Sequence, residues 1–288
     1  MSPKRTVFYR IGVFGAKRDL VLRATPAGDP MRARRPTNPP GISRVVQSPL
    51  SSPDAWNTVF DVARKDDIRD QPAYTLAEAA RYLKVAPATL RSWVIGRPYP
   101  TGKGPAHFKP LIRPASNPPP MLSFWNLIEA HVLRSLRTDH GVKMDALRRA
   151  IQYAQQSLKV DRLLLSPELR TNAGKLLLAR YGELIELSAS GQVAMRRMFN
   201  EHLARVEWDD WQFPVKLYPA TAETLSAARP IAIDAQVAFG RPVIAKRGIT
   251  TGAIADRIDS GETVDELAAD YDLSVDEIEE AVLYERAA

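Results

Sequence analysis

Tyr74-Thr75-Leu76-Ala77-Glu78-Ala79-Ala80-Arg81-Tyr82-Leu83-Lys84-Val85-Ala86-Pro87-Ala88-Thr89-Leu90-Arg91-Ser92-Trp93 is the stretch that decides how the chain is read. Thr75 has the chemistry of a helix N-cap, and Glu78, three residues on, completes a capping box. Leu76, Ala79, Ala80 and Leu83 then fall on one face at helical spacing. Lys84-Val85-Ala86 reads as a three-residue turn. Pro87 suits the first turn of a second helix, where its missing N–H costs nothing. Leu90 and Trp93 supply that helix's inner face, and Thr89, Arg91 and Ser92 its outer one. Two short helices joined by a tight turn, with small Ala79 and Ala80 where they cross and an arginine on the open face, form the pattern of a helix-turn-helix. An ordinary helical hairpin shares the spacing, so the flanking residues have to discriminate.

Downstream, Ala106–Arg113 reads as extended, Pro114–Pro120 as a turn, and Met121-Leu122-Ser123 as the returning strand. This is a hairpin placed where a winged helix carries its wing. Ser123 then caps a helix with Phe124, Leu127, Ile128, His131, Val132 and Leu136 on its apolar stripe. A second helix, ending at Leu158, carries Met144, Leu147, Ile151 and Ala154. His131 on the stripe reads as a core residue and His107 as structural or backbone-contacting. The residues expected to meet DNA are Thr75, Pro87, Thr89, Arg91, Ser92, Arg97, Lys103, Lys109 and Arg113, which reach base edges from the second helix or phosphates from its surroundings.

Composition narrows the chemistry. The 288 residues include no cysteine, which excludes a disulfide framework, a thiol nucleophile and thiolate metal sites. The four histidines, His107, His131, His140 and His202, never occur at the i, i+4 spacing of a helical metal pair. No nucleophile elbow, Walker loop or dinucleotide glycine pattern occurs. No enzyme, no metal and no cofactor is therefore expected. No apolar run approaches the ~20 residues of a membrane span, and Arg10 interrupts the early apolar stretch, so a cytoplasmic protein is expected. Net charge is +7 and polarised. Arginine and lysine crowd the first 54 residues, while acids outnumber them after Gly240. A cationic part gains free energy by displacing counterions from a polyanion, and the anionic end calls for a different partner.

Four segments follow. Residues 1–70 read as a basic, Pro-rich extension without fixed structure, a composition that an over-long reading-frame start would share. Residues 71–160 hold the winged helix-turn-helix. Residues 161–228 form a connector and a candidate dimerisation element. In it Leu176–Ser188 reads as a β-hairpin turning at Tyr181-Gly182, Gly191–Trp208 as a helix and Phe213–Pro219 as a strand. Residues 229–288 open with strand Ile231–Asp234 and end in three short helices. Of these, the second is capped by Thr263 with Glu266 and the third by Ser274 with Glu277. The last two again pair as a helix-turn-helix, but their outer residues (Asp265, Glu266, Asp270, Asp276, Glu279, Glu280) would repel phosphates. The fold class expected is mainly α with small β hairpins.

The stretch Tyr74–Trp93, with the two helices after the wing, resembles the MerR-type DNA-binding domain over about Tyr74 to Gln155. It departs from that family after Ser166-Pro167, where the long coiled-coil helix of the activators is absent. The stretches Gly240-Arg241-Pro242-Val243-Ile244 and Arg247–Glu285 resemble the domain of unknown function 433 of the antitoxin superfamily. The combination is similar to one group of VapB-type antitoxins. That resemblance implies a homodimer that binds double-stranded DNA at its own operator and holds a PIN-domain ribonuclease toxin inactive. The toxin's metal-binding carboxylates imply either steric cover or a basic side chain in the acidic pocket. Arg241, Lys246, Arg247 and Arg257 are the candidates. Pairing of Arg241 and Arg257 with Asp234 or Asp256 is the structural alternative, and an apolar docking groove a third. A stand-alone MerR-like transcriptional regulator, its C-terminal domain a dimerisation or effector module, is the alternative function.

Overall fold

The protein was analysed as a computed structural model, which describes residues 7–13, 16–22, 67–102, 104–137, 144–170, 172–185, 188–219 and 229–287. Residues 1–49 and 50–288 are separate units. In the first, β1 (Val7–Val13) pairs antiparallel with β2 (Ala16–Leu22), in register from Val7↔Leu22 to Val13↔Ala16. The sequence reading gave this stretch no fixed structure. The correction has a local cause: β-branched and aromatic residues dominate 7–13, and the prolines that argued for disorder all lie beyond residue 22, apart from Pro3. The rest of that expectation falls on residues outside those described.

The second unit begins with a 3-10 turn, Ile68–Asp70, and β3 (Tyr74–Thr75). Helices α1 (Leu76–Tyr82) and α2 (Pro87–Val94) follow. The wing comes next, β4 (Arg97–Thr101) against β5 (Gly104–Phe108), and then β6 (Met121–Leu122), which pairs with β3. This corrects the wing's bounds. Its first strand precedes Ala106, and Met121–Leu122 closes on Tyr74–Thr75 instead of on Ala106–Arg113. The turn chemistry was at Gly102 and Gly104, the latter at φ +111°. Residues 109–113 cannot extend the strand because the Leu111 and Ile112 amides donate to the Trp93 carbonyl (2.7 and 3.0 Å).

Helices α3 (Phe124–Arg137) and α4 (Met144–Leu158) run as expected. After them, Leu176–Ser188 is no hairpin: α5 (Asn172–Leu184) is helical, and α6 (Ala189–Leu203) packs on it. Gly174, Leu177, Leu178 and Tyr181 are buried at helical spacing, and Leu, Ala, Arg and Lys are strong helix formers. Gly182 is buried within the helix, where a Cβ would press on the Gln192 side chain. The glycine that suggested a turn permits a close helix crossing. The helix read through to Trp208 stops at Leu203, and Val206–Trp208 is strand β7.

Strand β7 opens an antiparallel five-stranded sheet, completed by β8 (Pro214–Leu217), β9 (Ile231–Asp234), β10 (Val243–Ile244) and β11 (Ile249–Thr250) in that order. The sheet joins the connector to the C-terminal segment, which ends in α7 (Thr251–Asp259), α8 (Val264–Tyr271) and α9 (Val275–Arg286). Capping boxes start α8 at Thr263/Glu266 and α9 at Ser274/Glu277.

One apolar core serves the helix-turn-helix and the connector together, with Leu90, Trp93, Trp125, Tyr181 and Phe199 fully buried. A second core lies under the last three helices, around Ile244, Ile254, Leu267, Ile278 and Tyr284. Buried ion pairs stitch the entry to the first: Arg162 bridges Asp70 (3.1 Å) and Glu129 (2.8 Å), joining the 3-10 turn, α3 and the segment after α4. Breaking one partner of such a buried pair costs about 3–5 kcal/mol.

Candidate nucleic-acid interface

Helix α1 begins as its sequence dictates. Thr75 Oγ1 accepts from the Glu78 amide at 3.2 Å, and the Thr75 amide donates to Glu78 Oε2 at 2.9 Å. The Thr75 hydroxyl also donates to that carboxylate (2.8 Å), and the cap holds the Glu78 carboxyl below its usual range. Thr75 therefore orients α1 and has its hydroxyl engaged. The turn to α2 closes through Lys84, at φ +51°, and Val85, whose amide donates to the Ala80 carbonyl. Helix α2 has no side-chain cap. Its outward positions are Ala86, Pro87, Ala88 and Arg91, all exposed, above buried Leu90, Trp93 and Val94. Small residues at an uncapped helix start allow close approach to a phosphate backbone, and the amides there favour an anion.

Of the expected contacts, Arg91 stands exposed on α2 and makes no ion pair among the described residues. Thr89 is half-buried, and its carbonyl accepts the Ser92 hydroxyl at 2.8 Å, which turns Ser92 back onto its own helix. Arg97 is exposed on β4, with its guanidinium 5.6 Å from the Phe108 ring centre. Lys109 and Arg113 are exposed beyond β5; Lys103 lies outside the described residues. The wing is stiffened by Tyr99 stacked on Phe108 at 3.9 Å. His107 is exposed and lies against Gly96, whose φ of +83° and contact with the Phe108 carbonyl leave no room for a side chain.

The sequence reading missed Arg148 of α4. It is nearly buried, donates to the Lys109 carbonyl and to the Ser92 carbonyl (3.4 Å), and lies 5.3 Å from the Phe108 ring centre. One guanidinium thus fastens the end of α2 and the base of the wing to the core. A second signal was in plain view. Between Glu78 and Glu129 the chain carries no acid, while Arg81, Lys84, Arg91, Arg97, Lys103, Lys109 and Arg113 all fall there. An acid-free surface builds positive potential without needing a large net charge.

The C-terminal helices pack directly on α1. Tyr284 Oη donates to the Tyr82 carbonyl at 2.6 Å, Arg81 pairs with Glu285 at 3.0 Å, and Lys84 Nζ lies 4.1 Å from the Tyr284 ring centre. Tyr74 Oη donates to the Gly240 carbonyl at 3.0 Å. Among the four candidate partner-binding cations, Arg257 is held between Glu262 and Asp270 (2.6 Å to the latter). Lys246 reaches Glu277 at 3.5 Å, and Arg247 pairs with Asp272. Arg241 is exposed, and its charge is felt at Glu78. The pairing considered with Asp234 or Asp256 is not among these contacts.

Among the described residues no helix is long and apolar enough to cross a membrane. Residues 72–151 match the family described as "Putative DNA-binding HTH domain", and residues 231–284 match the "Protein of unknown function (DUF433)". "Putative antitoxin VapB45" of Mycobacterium tuberculosis (strain ATCC 25618 / H37Rv) is 27% identical over 231 residues, covering 74% of this chain and 93% of that one. "Uncharacterized protein Rv2308" of the same organism is 25% identical over 228 residues, covering 75% and 90%. The crystal structure of Rv2018 from M. tuberculosis shares the fold, with a TM-score of 0.53 and 24% identity over 73% of this chain and 97% of that one. The chain thus matches a helix-turn-helix family model ahead of a match to the domain of unknown function 433, and it is similar along most of its length to the protein named "Putative antitoxin VapB45".

Proposed function

We propose that this protein is the antitoxin of a type II toxin–antitoxin pair, which binds and neutralises a PIN-domain ribonuclease and, as a homodimer, represses its own operon. It is a binding protein, not an enzyme, and works in the cytoplasm. The observation that carries the reading is the exposed face of α2. Arg91 projects above a small-residue helix start, inside a fifty-residue span without a single acid. This supports a MerR-like mode of contact. The second helix enters the major groove, with Arg91 at base edges or phosphates, while the wing with Arg97 and Lys109 follows the backbone. The similarity to an antitoxin supports the second half of the role. The toxin is met by the C-terminal segment, whose outer helix residues are too acidic to share the DNA.

The test uses the chain with duplex carrying its own upstream region and with the ribonuclease encoded beside it. Mobility shifts should show salt-sensitive binding. Arg91→Ala should weaken it by more than ~1 kcal/mol. Equimolar chain should abolish RNA cleavage. A chain that ignores the duplex in dilute buffer refutes the repressor half; undiminished cleavage refutes the antitoxin half.

A further inference from the structure

A homodimer needs a surface. In the connector Leu177, Leu178, Tyr181, Met195, Phe199 and Leu203 are buried within the chain, and Val193 of α6 is the one large apolar residue left exposed there among those described. Seven large apolar residues stay exposed among those described, and three of them, Phe239, Val275 and Leu283, belong to the C-terminal module.

Phe239 is the extreme case, 91% exposed. It lies between Ala238 (φ +48°) and Gly240 (φ +74°) and has φ +56° itself. The left-handed region disfavours non-glycine residues, so two successive ones mark a conformation that the surroundings enforce. The enforcement is visible. The Gly240 amide donates to the Val237 carbonyl (2.9 Å), the Arg241 amide to the Ala238 carbonyl (3.1 Å), and Tyr74 Oη to the Gly240 carbonyl. The loop is pinned, the ring points into solvent, and exposed Arg241 stands two residues on.

The complementary surface is on the same chain. On α9, Val275 (40% exposed), Glu279 and Leu283 (59% exposed) follow one another at four-residue steps, so they line one helix face. Exposed Asp276 lies beside them. That is a face with an apolar residue at each end and the Glu279 carboxylate between them, matched in character to an aromatic ring with an arginine beside it. Within one chain the two surfaces do not cover each other, since both stay exposed.

We propose that a second copy of this chain covers them. The Phe239 ring of one protomer packs along the Val275–Leu283 face of its partner, over the aliphatic stem of Glu279, with Arg241 against the Glu279 carboxylate, and the contact is returned about a two-fold axis. Reciprocity makes the interface isologous and closed. It rests on the dimeric-repressor reading only for its use; the contact is a property of the chain alone. Buried aromatic and arginine anchors of this kind concentrate binding energy.

The experiment is sedimentation of the full chain, without DNA or ribonuclease, across a concentration series. Phe239→Ala, Arg241→Glu and Glu279→Arg should each raise the dimer dissociation constant by at least about ten-fold. The double variant R241E/E279R should recover to within about three-fold, since the swapped pair restores the attraction and shows that the singles are folded. A monomeric wild type, singles that stay dimeric, or a double variant no better than its parents would overturn the proposal. So would single variants that lose the ribonuclease but keep the dimer, which would hand the surface to the toxin. A chain that dimerises by this scheme yet fails to inhibit the ribonuclease leaves the interface standing and removes the antitoxin reading instead.

Discussion

Acid should unfold this protein through His131 before it touches the DNA-reading surface. His131 sits on the inner face of α3 with no exposed surface. Its Nε2 lies 3.1 Å from the His202 carbonyl, and its Nδ1 has no hydrogen-bond partner. Nε2 therefore carries the hydrogen and donates it. A proton at Nδ1 would be unhydrated and would face His202, Arg134 and Arg205. Burial first, and that cationic company second, pull its pKa from 6.5 down to about 3. The sign follows from the depressed value. The unfolded chain binds a proton that the folded chain refuses, so the stability is fully present above pH 6.5 and is lost as pH falls from 6.5 toward 3. With these two values the loss at pH 5 is about 2 kcal/mol, and it levels off near 5 kcal/mol below pH 3. Urea unfolding at pH 7.5 and 5.0, compared between the wild type and His131→Gln, isolates the contribution. The glutamine keeps a donor for the His202 carbonyl and cannot titrate. The wild type should lose about 2 kcal/mol more than the variant over that interval. Equal losses would mean that His131 is protonated or hydrated in the fold, and the reasoning about its burial would fail.

Three other substitutions test the joints around the interface. Arg148→Met keeps an unbranched stem of similar reach but removes the guanidinium that lies over Phe108 and donates to the Ser92 and Lys109 carbonyls. It should weaken operator binding by about 1 kcal/mol or more in a mobility-shift titration, with circular dichroism unchanged; undiminished affinity would remove Arg148's role in placing the wing. Tyr284→Phe should cost about 1–2 kcal/mol in urea unfolding, because the Tyr82 carbonyl loses its buried donor; an unmoved midpoint would show that this joint adds nothing. Phe239→Gly exchanges a left-handed penalty of about 1–2 kcal/mol for glycine's extra chain entropy of about 0.5–1 kcal/mol. A thermal melt at a concentration where the wild type is monomeric should therefore find it at least as stable as the wild type. A loss near the several kcal/mol of a core Phe truncation would show that the ring is buried.

The C-terminal module is not a separate body hung on a linker. Two apolar cores exist, but the five-stranded sheet runs from connector to module, Tyr284 and Glu285 lock onto the first helix of the helix-turn-helix, and Gly240 is bonded by Tyr74 of β3 just ahead of it. Lys84, which closes the helix-turn-helix turn at positive φ, lies over the Tyr284 ring, and burial lowers its pKa. Any ligand that moves α9 acts on the same turn that aims α2. The size of that effect is bounded by the ligand's differential affinity for the two positions.

Legibility from sequence tracked the range of the interactions that fix each part. Caps are local, so Thr75/Glu78, Thr263/Glu266 and Ser274/Glu277 could be read directly, along with the helices they start. Amphipathic spacing found α3 and α4 for the same reason. The α5 segment failed because Tyr181-Gly182 reads as turn chemistry, which outweighed the helical spacing of Gly174, Leu177, Leu178 and Tyr181; Gly182 instead lies against the Gln192 side chain of the next helix. The wing failed because strand pairing is a long-range choice; β6 had two possible partners, and only Tyr74 and Trp93 settle which. Arg148 was invisible because a buried guanidinium bonded to carbonyls at the end of α2 and after β5, far away in sequence, leaves no trace in spacing. Phe239 was hidden in another way. Nothing short of the backbone handedness at 238 and 239, next to the Gly240 carbonyl that Tyr74 bonds from 166 residues away, turns the ring out to where another molecule can take hold of it.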